Sequence, residues 1–186
     1  MIDGNGLGIG LIDYMVKPQD NEETGEHFPD FGIYGGTQED AAEEYKKYHT
    51  KETEEDAIYI IKASAPINSE AYANTQTQLN SGKIKLLIDE RVAKAKLLET
   101  TAGKKMTPEK RAEYLKPFTL TSILREEMLN LREENEGINI ILKQTNKGIK
   151  KDKFSAMIYG LYYIKLEEET KKRKRKFNVA DMMFST

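Results

Sequence analysis

Cysteine is absent from this chain, and histidine occurs only at His27 and His49. The first absence excludes disulfide staples, thiolate zinc sites and cysteine nucleophiles. The second excludes a multi-histidine metal site. Any metal would be held by oxygen ligands, which suits magnesium, manganese or calcium. Long apolar runs are missing too. The longest are short pieces such as residues 58–61, far below the roughly 18 residues of a membrane span, so no membrane partner is expected. The opening residues, MIDGNGLGIG, carry no basic region, which argues against a secretory signal.

Charge is what the chain has in abundance: 32 % of its 186 residues are charged. The length allows one domain with a real core, and not two full ones. The net charge of −2 hides a division. Residues 20–56 hold thirteen acids and three lysines, whereas residues 143–176 hold twelve basic residues and four acids. The basic end suits phosphate, because Lys and Arg release the counterions condensed on nucleic acid. A merely solvated charged face is the alternative.

Met1 and Ile2 lead into a glycine-rich run and then an apolar face of Leu11, Ile12, Met15 and Val16, so the start reads as strand end, turn and helix, stopped by Pro18. Residues 19–29 are polar and turn-rich. Residues 28–34 read as a short strand ended by Gly35 and Gly36, and residues 38–56 as an acidic surface helix or mobile segment. Residues 57–62 carry a buried-strand pattern. Residues 68–81 read as a polar helix capped by Asn68 or Ser69 and stopped by Gly82. A strand over residues 83–88 follows, then a helix over 92–98 opened by Asp89. Residues 99–117 form a connection with a helix start at Thr107, Pro108 and Glu109. Residues 118–135 predict a helix striped by Leu120, Ile123, Leu124, Met128 and Leu131, broken by Gly137. After a strand over 138–143 and a basic loop over 144–151, a helix is predicted from Asp152, its N-cap, to about Thr170. Its inward face is Ala156, Ile158 or Tyr159, Tyr162, Tyr163 and Leu166. Strands alternating with helices predict an α/β fold.

Three features carry possible chemistry. Glycines at positions 4, 6, 8 and 10 lack the spacing of a dinucleotide fingerprint, and no Walker lysine follows; a tight strand-to-helix turn accounts for them. Asp3 stands at a strand end, where a carboxylate points into the crevice above a sheet, or bonds its own turn backbone. Asp152 opens a helix among Lys150, Lys151 and Lys153, as an N-cap or as a ligand. Together, two carboxylates with basic residues around them suit two-metal phosphodiester hydrolysis, in which two ions about 4 Å apart clamp the scissile phosphate.

The stretch from Ile2 to Asp13, IDGNGLGIGLID, resembles the second acidic motif of the nuclease domain of large terminase subunits, the DNA-packaging motors of tailed bacteriophages. Residues 151–160, KDKFSAMIYG, resemble that domain's last acidic motif and long helix; residues 81–89 and 139–143 resemble the segment between them. The resemblance implies an RNase H-like mixed sheet flanked by helices, and metal-dependent endonuclease cleavage of concatemeric viral DNA. It implies Asp3 and Asp152 as catalytic metal ligands for Mg²⁺ or Mn²⁺. Lys147, Lys150, Lys151 and Lys153 are expected near phosphate. The family's earlier acidic strand has no counterpart here, so the chain reads as the back portion of a large terminase, expected to lack the first strands and to take its third acidic ligand from outside. Asp89 or Asp13 could substitute.

The expected division is a partial nuclease domain over residues 1–170, with 20–56 as an acidic insertion, and a basic tail over 171–186 bearing Lys171, Lys172, Arg173, Lys174 and Arg175 as DNA or portal contacts. The expected partners are double-stranded viral DNA, the rest of the large terminase with its ATPase domain, the small terminase subunit and the portal, in the cytoplasm of a bacterial host. Without the first strand, the isolated chain is expected to be unstable, oligomeric or completed by another polypeptide. A non-catalytic DNA- or partner-binding module on the same scaffold is the competing expectation.

Overall fold

The structure, a computed structural model, describes residues 2–3, 7–37, 43 and 55–183; at positions 3, 7–9, 55–56 and 174–183 it describes the backbone alone. The fold is mixed α/β with small sheets. It divides into two compact units, Met1–Ile67 and Asn68–Thr186. Most of the acidic segment expected over residues 38–56 lies outside the described residues.

In the first unit, β1 (Ile2–Asp3), β5 (Glu55–Ile61) and β4 (Phe31–Gly36) form a parallel sheet in the order β1-β5-β4. Helix α1 (Leu7–Met15) packs Ile12 and, just past its end, Val16 against Ile33, Ile58 and Ile60. Leu11, expected on that face, is half exposed; the buried positions are one helical turn apart, and Leu11 lies to their side. The Gln19 amide donates to the Tyr14 and Lys17 carbonyls beyond the helix end. The polar stretch after Pro18 is a hairpin, β2 (Gln19–Asp20) against β3 (His27–Phe28), around an Asn21 side chain that accepts from the Glu23 and Thr24 amides. The expected strand over 28–34 is therefore divided: Phe28 pairs backward with Gln19, and β4 begins at Phe31. Gly35 and Gly36 sit inside β4, where an irregular register brings Gly35 opposite Tyr59.

Helix α2 (Ala65–Asn80), which lies in the second unit from Asn68 onward, starts earlier than the pattern suggests. Ser64 accepts from the Ile67 amide, and Pro66 falls in the first turn, where its missing N–H costs nothing. Asn68 and Ser69 are freed for tertiary contacts, accepting from the Tyr159 hydroxyl and the Ile140 amide. Gly82, at φ +67°, ends the helix with the Lys83 amide on the Gln78 carbonyl and its own amide on Leu79. No strand forms over 83–88 among the described residues. That stretch runs irregularly, and its Leu87 carbonyl accepts from Arg125.

Asp89 caps α3 (Glu90–Glu99) through the Arg91 amide, and Thr107 caps α5 (Pro108–Leu129) through Lys110. Between them lies the short α4 (Thr101–Lys105). Ala93, Leu97 and Leu115 form their common core. The expected helix over 118–135 stops at Asn130. Residues beyond it form β6 (Leu131–Glu136), paired in register with β7 (Asn139–Gln144) around a two-residue turn that has Gly137 at φ +61° in its first central position.

Helix α6 (Asp152–Met183) closes the unit. Its buried face is Phe154, Ile158 and Tyr162, spaced by four; Ala156, expected there, is exposed because it lies off that line. The helix runs unbroken past residue 170 and through the basic segment.

Candidate functional site

The site residues of the second unit lie where the β6–β7 hairpin returns to α6. The loop over residues 145–151 has little apolar content, and polar bonds hold it. Asn130, buried at the end of α5, accepts from the Asn146 amide at 2.7 Å and donates through Nδ2 to the Asn146 carbonyl at 2.8 Å and the Ile149 carbonyl at 3.4 Å. Its own carbonyl accepts from the Thr145 amide at 2.8 Å, and the Gln144 side chain donates to Ile149. The loop is thereby fixed, with Lys147 and Lys150 exposed upon it.

Asp152 is the first residue of α6 rather than the residue before it. It is exposed, and its carboxylate bonds no other described residue. It is therefore not the N-cap that its position in the sequence suggests; the cap's work is done from elsewhere. Glu127, only 2 % exposed, accepts the Phe154 amide at 2.8 Å on Oε2 and lies 3.7 Å from Lys153 Nζ on Oε1. A carboxylate at a helix N-terminus is favoured by the unpaired amides and the macrodipole. Lys151 and Lys153 are half-buried beside Asp152.

Neither Glu127 nor Asn130 is among the residues that the sequence points to. The available signal was an acid within an apolar stripe, at the i+3 position from Leu124 and four before Leu131.

Lys147, Lys150, Lys151, Asp152 and Lys153 thus share one loop and first turn. Asp3 belongs to the first unit; it ends β1 opposite Ile61, and its side chain lies outside the described residues. Lys171, Lys172 and Arg173 are exposed on α6, and Lys174 and Arg175 continue the helix with side chains outside the described residues. Asp13 is exposed on α1. Asp89 is engaged as a helix cap, which accounts for it without a metal. Among the described residues no three acidic or histidine side chains converge as a metal cluster. No described helix is long and apolar enough to cross a membrane. Comparison with models of protein families, with curated proteins and with solved structures finds no match.

Proposed function

We propose that the chain is part of a metal-dependent endonuclease that cuts concatemeric viral DNA during genome packaging, with an RNase H-like nuclease scaffold related to that of large terminase subunits. The observation that carries this reading is Asp152. It is a carboxylate with no partner among the described residues, on the first turn of a helix, flanked by Lys150, Lys151 and Lys153 on an anchored loop. An unpaired carboxylate of this kind suits a hard divalent cation. The place of Asp3 at the end of β1, shortly before α1 in the chain, and the parallel pairing of β1 with β5 support the second ligand.

On this reading Asp152 is a ligand of Mg²⁺ or Mn²⁺, Asp3 is another, and a further acidic ligand comes from outside this chain. The ions, when bound, supply Lewis-acid activation of water and of the scissile phosphate. The chain's own contribution is positional. Lys147 and Lys150 offer charge to the DNA backbone, and Lys171, Lys172, Arg173, Lys174 and Arg175 extend that charge along α6. The partners on this reading are double-stranded DNA, the ATPase part of the large terminase, the small subunit and the portal, in a bacterial host cytoplasm.

Plasmid cleavage in manganese tests the reading, with the upstream acidic segment of a related terminase added in trans. Cleavage is expected, and is expected to vanish in Asp152→Asn and in Asp3→Asn. Cleavage that persists in both variants rejects the assignment. Salt-sensitive DNA binding that survives both substitutions, without any cleavage, points instead to a binding module.

A further inference from the structure

Four residues, Lys150, Lys151, Asp152 and Lys153, lie between two anchors, one from Glu127 in the last turn of α5 and one from Asn130, its C-cap. On one side Asn130 bonds the Ile149 carbonyl, and on the other Glu127 bonds the Phe154 amide. We propose that Glu127 is a positioning residue: from α5 its buried carboxylate holds the first turn of α6 and so sets the direction in which Asp152 and Lys153 are presented. The proposal rests on the reading of Asp152 as a metal ligand.

A helix start leaves its first amides without intrahelical partners, and a neighbouring Ser, Thr, Asp or Asn commonly takes one. Here the preceding residue is Lys151, which can accept nothing through its side chain. The acceptor is imported from 27 residues earlier in the chain. The start of α6 is thus tied to α5 rather than to its own loop. Packing acts on the same turn: Phe154 is buried and stacks on Tyr72 with ring centroids 6.3 Å apart, beside an open cavity of about 260 Å³ that Thr75, Met128, Leu131 and Leu142 also line. Ring packing holds the Phe154 side chain, and the polar clamp holds its backbone amide. The carboxylate also satisfies its own burial. One oxygen takes the amide and the other faces the Lys153 ammonium, so Lys153 is held in place. Residues that orient a metal ligand from behind typically change metal affinity about 10–100-fold when removed.

The test compares the full chain with Glu127→Ala, Glu127→Gln and Asp152→Asn, reading residue-resolved amide exchange and Mn²⁺ affinity by electron paramagnetic resonance. In Glu127→Ala, exchange at Phe154 is expected to rise about tenfold or more, with β6 and β7 amides unchanged, and Mn²⁺ affinity to fall about tenfold. Glu127→Gln keeps an acceptor oxygen and is expected to restore the Phe154 protection and most of the affinity. Should the alanine chain not fold, Glu127→Asp, one methylene shorter, takes its place in the comparison. Unchanged exchange at Phe154, or unchanged Mn²⁺ affinity once exchange has risen, overturns the proposal. Mn²⁺ binding by Asp152→Asn equal to that of the parent overturns the ligand reading instead, while exchange at Phe154 still reports on the clamp by itself.

Discussion

Asn130 is the residue on which most of the loop depends. Its amide group makes the paired hydrogen bonds with Asn146 that a neighbouring strand would make. Truncation to alanine removes both bonds; Asn146 is exposed, so water replaces part of what is lost, and each bond is worth about 0.5–1.5 kcal/mol net. Asn130→Ala is therefore expected to lower stability by about 1–3 kcal/mol, read by urea unfolding. It is also expected to open residues 146–149 to proteolysis.

Glu70 gives a second prediction at this scale. Hydrogen bonding from Lys165 holds its carboxyl below the ordinary value; burial opposes this, and the Tyr162 hydroxyl assists. A folded-state value below the unfolded one, about 4.3, means stability that is fully present above that pH. It is lost as pH falls through the lower folded value. Glu70→Gln should therefore flatten the acid limb of the stability curve below about pH 4. With the Glu70 side chain 48 % exposed, the effect should stay below about 1 kcal/mol, measured by chemical unfolding at stepped pH.

The helices are anchored by few positions, and these differ sharply in weight. On α6, Ile158 is 1 % exposed and Ile164 is 52 % exposed. Ile158→Ala should cost about 2–4 kcal/mol and Ile164→Ala less than about 0.5 kcal/mol, compared by denaturant midpoints. Much of this element-level order is legible in the sequence. The caps Asp89 and Thr107, the stop at Gly82 and the strand β5 all carry local signals, because a cap or a β-branched run acts through near neighbours. Two readings failed because strand pairing decides them, and the composition of a single segment does not show whether a partner lies opposite it. Leu131–Glu136 is rich in helix-favouring Glu, yet β7 lies opposite it and supplies a full ladder. Residues 83–88 alternate like a strand but have no ladder partner among the described residues. Glu127 was hidden for the same reason: nothing near it in sequence shows that Phe154 needs an acceptor.

At the scale of the whole molecule, the two units have separate cores, one around Ile12 and Ile33 and another around Leu97 and Leu115. Ile12→Ala should shift the unfolding of the first unit and leave hydrogen-exchange protection in α5 and α6 unchanged. Equal loss of protection in both units would show that they unfold as one. The α/β class and the separated charges are legible in composition and pattern alone. Charge carries the remaining prediction. Changing Lys171, Lys172 and Arg173 to Gln should reduce the salt slope of DNA binding by up to about 0.9 for each phosphate no longer neutralised, measured by titration across several salt concentrations.

The continuity of α6 makes it a ruler with an angular scale. Its 32 residues span about 48 Å at 1.5 Å each, so Asp152 and the basic segment sit on one rod at a fixed phase. One alanine inserted after Thr170 turns everything beyond it by about 100°, whereas seven bring it back to within about 20° of its original azimuth. Seven residues also lengthen the rod by about 10.5 Å, so if both ends touch the same duplex, affinity that falls with one insertion and returns with seven would show that azimuth decides the contact, and affinity that falls with both would show that distance does.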